Sequence, residues 1–374
     1  MTIRIPGHLR ELTPYVPGTP IEDVERELGI RDAVKLASNE NPLGPSPRAV
    51  AAIRDAAVRA HRYPDGSGRA LREALAARHG VSVAEVVLGN GSTELVELLA
   101  KTFLVAGAGA VMADQAFIVY RTAVRAMSAP LTIVPLRDHR HDLDAMASAC
   151  TSTTALVYIA NPNNPTGTCV TRAAMERFLD RLPGHVLAIL DEAYLDYVDG
   201  ADCAEGIGYF REGRNLVLLR TFSKIHGLAG IRIGFALAPR EVAGALDLVR
   251  SPFNTSITAQ AAALAALDDS GHIERSRAEN AAGVRHLQDQ LRRRSIEFVP
   301  TVANFVLIRT RLPGLELYRK LLRQGVIVRP MEVYGYQDGV RVSVGTREEI
   351  DRFLSALDRS LRSESGPVGT VGDP

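Results

Sequence analysis

The chain has 374 residues, 46% hydrophobic and 23% charged, enough for a sizeable core and ordinary for a soluble globular protein. Its 44 basic and 43 acidic side chains leave a formal charge of +1, so no global field favours nucleic acid or an anionic membrane. No apolar run suits a membrane span, Met1–Pro6 lacks the apolar core of a secretory signal, and Cys150, Cys169 and Cys203 show no metal-ligand spacing; a cytoplasmic protein with free thiols and no metal is expected.

Residues 1–35 read as an N-terminal arm with prolines at 6, 14, 17 and 20 and one helical pattern from about Pro20 to Leu28. A Pro- and Gly-bounded loop, Leu36–Pro45, follows. Ser46-Pro47 opens a helix with Val50, Ile53 and Ala57 on one face, and Ser67 is expected to cap another that runs to His79. Val86–Leu88 reads as a strand that ends in Gly89-Asn90-Gly91-Ser92-Thr93-Glu94, with an amphipathic helix beyond it. Strand, glycine turn and helix N-terminus make a cradle for a phosphate.

Further strands are predicted at 110–112, 132–135, 155–159, 186–190, 216–219 and 233–238, mostly separated by helical or turn-rich segments. Such alternation predicts an α/β domain, a largely parallel, doubly wound sheet in a three-layer α/β/α arrangement, over residues 36–255. Gly107-Ala108-Gly109 lacks the third glycine of a dinucleotide site. A smaller α+β domain is expected over 256–361. It would have helices at 259–267, 273–294 and 315–323, strands at 304–309, 326–329 and 340–344, and a last helix through Ile350, Phe353, Leu354, Leu357 and Leu361. Residues 362–374 have no periodicity and are expected to be disordered.

Three stretches carry chemistry. Asn161-Pro162-Asn163-Asn164-Pro165-Thr166-Gly167 is a rigid turn after a strand, with Asn164 able to donate to a phenolate oxygen. Asp191 follows five apolar residues, where a carboxylate needs a cationic partner such as a pyridinium. Lys224 lies in Arg220-Thr221-Phe222-Ser223-Lys224, just past a strand end, where a lysine amine can condense with an aldehyde; Thr221, Ser223 and Arg232 offer donors for a phosphate. Alone, each has an ordinary explanation: an Asx turn, a capping aspartate, a surface lysine. Together, Asn164, Asp191 and Lys224 each follow a predicted strand, and adjacent parallel strands bring such ends to one rim.

With Asp191-Glu192-Ala193-Tyr194, Gly227–Gly234 and Arg341–Thr346, these motifs resemble the fold-type I aminotransferases, and within them the histidinol-phosphate aminotransferase branch, over about residues 5–361. The resemblance implies a transaminase that uses pyridoxal 5′-phosphate (PLP) and takes an amino donor and a 2-oxo acid. It implies that Lys224 bonds the cofactor and then moves the proton, that Asp191 pairs with the pyridinium, and that Asn164 and Tyr194 hold the 3′ oxygen. By the same resemblance, Gly91, Ser92, Thr93, Thr221, Ser223 and Arg232 would surround the phosphate, and Phe117, rather than Tyr120, would stack on the ring. Tyr63 would reach the neighbouring site of a homodimer. Arg341, helped by Asn39, would take a substrate carboxylate, Arg329 would take a substrate phosphate, and Tyr15 would close over the substrate. Met331–Tyr336 also resembles aromatic amino-acid aminotransferases, which leaves a phenylalanine or tyrosine aminotransferase as the alternative; a decarboxylase of a phosphorylated amino acid and a PLP-binding regulator are the rivals of other classes.

Overall fold

The computed structural model of the chain describes residues 3–10, 12, 18–200 and 202–362. Tyr15 and the tail from residue 363 lie outside the described residues, and with them the expectations for both.

The seven apolar runs form one sheet: β1 (Val86–Gly89), β2 (Gly109–Ala113), β3 (Leu131–Val134), β4 (Thr154–Ala160), β5 (Leu187–Asp191), β6 (Leu216–Thr221) and β7 (Gly234–Leu237). The order across the sheet is β1-β7-β6-β5-β4-β2-β3. Only β7 runs against its neighbours; the other pairings are parallel. Both faces of the inner strands are covered, which is why they read as continuous apolar runs; the edge strand β3 is partly exposed. On β4, Val157 and Ile159 face one core while Leu156, Tyr158 and Ala160 face the other. The first core also takes Leu75, Phe178 and Ala262 from helices Arg69–His79, Arg172–Arg181 and Ile257–Leu267. The second takes Leu99, Tyr120 and Leu246 from helices Gly91–Phe103, Ile118–Ala126 and Arg240–Val249. The protein is therefore a three-layer α/β fold with a mostly parallel sheet.

A smaller antiparallel sheet follows, β8 (Glu297–Val299), β9 (Phe305–Arg309), β10 (Arg329–Pro330) and β11 (Gly339–Ser343), in the order β10-β11-β9-β8. Helices Ser270–Arg293, Gly314–Leu322 and Arg347–Arg362 pack on it through Leu287, Leu317, Phe353 and Leu357.

Three local expectations are corrected. The strand predicted at 326–329 is split: Val326–Ile327 pairs in parallel with Val34–Lys35 of the arm, and Arg329–Pro330 joins the small sheet. Ser67 caps nothing; the Asp65 carboxylate accepts from Ser67 and from the Arg69 N–H at 2.8 Å, and Gly68 is the N-cap in a left-handed conformation. Helix Pro47–Ala57 buries Ala49 and Ala56, with Val50 and Ile53 half-buried and Ala57 exposed, so its inner face is rotated from the predicted one.

Candidate active site

Strands β1, β2, β4, β5 and β6 all point the same way, so the segments that leave their C-terminal ends share one rim. A cavity of about 240 Å³ opens there. Ser92 and Thr93 line it from the start of helix Gly91–Phe103, and Phe117 from the residue before the next helix. Asn164, Asp191 and Tyr194, then Thr221, Ser223, Lys224 and Arg232, line it from the segments after β4, β5 and β6; Asn39, Arg329 and Arg341 close the other wall.

Asp191 ends β5 as a buried carboxylate. Its Oδ2 accepts from the Tyr120 hydroxyl at 2.7 Å and its Oδ1 from the Ala193 N–H at 3.1 Å. Burial pushes its pKa up, against the pull of those two hydrogen bonds and of the Lys224 charge. A cation in the cavity would complete the set. Tyr120 is fully buried, between Tyr158, stacked at 5.0 Å, and Phe117, edge-on at 5.7 Å. Phe117 thus has a face available to a planar ring. Tyr120 is instead tied to the carboxylate, a contact between elements 71 residues apart that no local pattern signals.

On the other side, Thr221 Oγ1 donates to Ser223 Oγ at 2.9 Å, and Arg232 Nη1 donates to Ser223 Oγ at 3.4 Å. No side chain caps helix Gly91–Phe103, which leaves its first N–H groups for an anion. Gly91, at φ +75°, does not line the cavity but sets this geometry: a Cβ there would lie 2.4 Å from Arg232 Nη2, and one on Gly234 would lie 2.8 Å from the Ser92 nitrogen. Lys224 Nζ donates to the Ser38 carbonyl at 3.1 Å and stands 5.5 Å from the Tyr194 ring centre.

The opposite wall is built by the small sheet. Arg329 and Arg341 are direct cross-strand partners in β10 and β11, a pairing of like charges that costs stability and suits an anionic ligand. Arg341, almost wholly buried, donates to the Asn164 side-chain oxygen and, at 2.7 Å, to the Ala37 carbonyl. Asn39 does not turn to Arg341 but donates through Nδ2 to Tyr194 Oη at 2.9 Å. Ser38, Glu40 and Tyr334 line the cavity as well, without any sequence signal beyond their proximity to Asn39 and Arg329. Tyr63 lies away from this cavity, 81% exposed and stacked on Phe253 at 4.6 Å.

A buried carboxylate, a lysine, and a helix N-terminus facing an arginine across a gap too tight for a Cβ are the donor set that PLP needs: partners for a ring nitrogen, an aldehyde and a phosphate.

Comparison with known proteins agrees. The family model for aminotransferase class I and II matches residues 31–357. The chain belongs to that family and is an aminotransferase. More particularly, it is 47% identical over 351 residues to the histidinol-phosphate aminotransferase of Moorella thermoacetica, covering 94% of this chain and 91% of that one. It is 48% identical over 362 residues to that of an Anaeromyxobacter species, covering 96% and 99%. Among solved structures, the histidinol-phosphate aminotransferase of Sinorhizobium meliloti in complex with pyridoxal-5′-phosphate superposes with a TM-score of 0.88 at 29% identity, covering 97% of this chain and 99% of that one.

Proposed function

We propose that this aminotransferase moves the amino group of L-histidinol phosphate to 2-oxoglutarate, giving imidazole-acetol phosphate and L-glutamate, a step of histidine biosynthesis in the cytoplasm. The observation that carries this reading is the pairing of Arg329 with Arg341 on one wall of the cavity whose floor holds Asp191 and Lys224. The amino donor brings a phosphate and no carboxylate; the acceptor brings two carboxylates. Two adjacent guanidiniums suit both in turn.

PLP, when bound, supplies an aldehyde that captures the amino group and a ring that withdraws electrons from the neighbouring carbon. The protein does the rest. Asp191 keeps the ring nitrogen protonated, with Tyr120 fixing the carboxylate. Asn164 and Tyr194 orient the 3′ oxygen. Ser92, Thr93, Thr221, Ser223 and Arg232, with the turn that Gly91 shapes, hold the phosphate. Lys224, which lines the cavity, would hold the cofactor's aldehyde carbon, and its Nζ would be the base for the proton on the substrate carbon. Phe117 would cover the ring.

The exposed Tyr63–Phe253 stack supports a homodimer in which Tyr63 reaches the partner's phosphate site. The division into an arm, a large domain over 36–255 and a small one over 256–361 belongs to the same reading. Among the described residues no helix is long and apolar enough to cross a membrane.

A donor panel with 2-oxoglutarate tests the substrate. Histidinol phosphate should be turned over in preference to phenylalanine. Arg329→Ala should lower kcat/KM for histidinol phosphate by about 100-fold, the worth of a charge-assisted pair, and for phenylalanine by only a few-fold. Preference for phenylalanine would make the enzyme an aromatic aminotransferase, and carbon dioxide release without any oxo acid would make it a lyase.

A further inference from the structure

The side chains behind the cavity make a network that the proposed chemistry does not use. Along β5 successive residues face opposite sides of the sheet, so with Asp191 at the cavity, Glu192 points to the far side. On the neighbouring strand β6, Arg220 bears the same relation to Thr221. The two strands are in register there: Asp191 pairs with Leu219, and the Glu192 N–H donates to the Leu219 carbonyl at 2.8 Å.

The Glu192 side chain is wholly buried. Its Oε2 accepts from Arg220 Nε at 2.9 Å and its Oε1 from the Gly206 N–H at 2.7 Å. Arg220 also donates to Glu205 at 3.2 Å. Gly206 is required by space, since a Cβ there would lie 2.2 Å from Leu218 and 3.2 Å from Glu192 Oε1. Two residues before it, the Ala204 carbonyl accepts from Asn161 Nδ2 at 2.7 Å, and Asn161 opens the turn that carries Asn164. One short segment, 204–206, therefore ties together the ends of β4, β5 and β6.

A buried ion pair is a poor source of stability, because desolvation offsets most of the attraction; what it fixes is geometry and local charge. We propose that Glu192 and Arg220 are positioning residues for the cofactor site: their ion pair on the far face of the sheet fixes the strand ends that carry Asp191 and Lys224 and balances the charge both feel. This inference rests on the proposed roles of Asp191 and Lys224.

The test keeps the two readings apart. Wild-type protein is first incubated with PLP, reduced with borohydride and mapped by mass spectrometry; failure to label Lys224 ends the site reading itself, whatever the variants do. If Lys224 is labelled, three variants follow. Glu192→Leu/Arg220→Met removes both charges at similar volume. Its cofactor-free thermal midpoint should stay within about 5 °C of wild type, while its PLP dissociation constant rises about tenfold. Glu192→Gln keeps the shape and removes the buried partner of Arg220, leaving its charge only partly offset by the more exposed Glu205 and by Asp196. That charge disfavours protonation nearby, so the pH midpoint of the bound chromophore, read by visible absorbance, should fall by about one unit. Arg220→Lys keeps the charge and should leave that midpoint where it is. Wild-type PLP affinity in the double variant overturns the positioning role. If the double variant does not fold, the single variants decide: a shifted midpoint in Glu192→Gln beside an unshifted one in Arg220→Lys supports the proposal, and any other pattern overturns it.

Discussion

Replacing Tyr120 with phenylalanine removes one oxygen and leaves the ring stack on Tyr158 in place. The lost bond is 2.7 Å long, runs to a carboxylate, and is buried at both ends. A hydrogen bond to a charged group contributes about 1.5–3 kcal/mol, which corresponds to roughly 10- to 150-fold in an equilibrium constant. The direction follows from what opposes burial at Asp191. Tyr120 is the largest influence pulling that pKa down, so without it the carboxylate is protonated more readily and pairs less well with a pyridinium. Tyr120→Phe is therefore expected to bind PLP about 10- to 150-fold more weakly, with the defect growing as pH falls. The chain has no tryptophan, so binding is best followed through the cofactor's visible absorbance. Tyr158→Phe is the matched control: its buried hydroxyl has no protein partner among the described residues, and its loss should leave affinity unchanged and stability equal or higher. Equal affinity in Tyr120→Phe and wild type across pH 6 to 8 would refute the reasoning.

Two further changes probe the cradle and the packing beneath it. Gly91→Ala sets a Cβ against the Arg232 guanidinium in a left-handed backbone; PLP affinity should fall at least tenfold, at a stability cost of about 1–2 kcal/mol, both measurable by cofactor titration and thermal melting. His226, two residues past Lys224, has its pKa lowered from 6.5 to about 4, chiefly by burial. The unfolded chain takes up that proton below about pH 6.5 and the folded one only near 4, so this stability is complete above 6.5 and is lost as pH falls through that window. His226→Phe should therefore lose about 2 kcal/mol less than wild type between pH 7 and pH 5, read by urea denaturation; equal losses would place the acid sensitivity elsewhere.

The large sheet is legible in the sequence because its inner strands are covered on both faces, leaving runs such as Leu216–Leu219 with no polar interruption; the edge strand Leu131–Val134 is partly exposed. All seven end within two residues of their predicted limits. The motif residues follow those strands directly, so parallel pairing alone brings Asn164, Asp191 and Lys224 together. What escapes is set by tertiary context. Glu297–Val299 is three residues at the edge of the small sheet, too short for any period. The split at Val328 depends on the arm folding back to offer Val34–Lys35 as a partner. Ser67 loses the capping role because the Asp65 carboxylate reaches the same N–H groups. Tyr120 sits on the helix as an ordinary core aromatic, and only the approach of β5 turns its hydroxyl into a ligand for Asp191. The face-to-face pairing of Arg329 with Arg341 likewise comes from strand register.

The central claim is that one amine among four lysines bonds the cofactor aldehyde. Borohydride reduction of the protein mixed with PLP, followed by peptide mapping, is predicted to place the label on Lys224 and to leave Lys35, Lys101 and Lys320 unmodified. Label spread over the other lysines, or none at Lys224, would contradict the account.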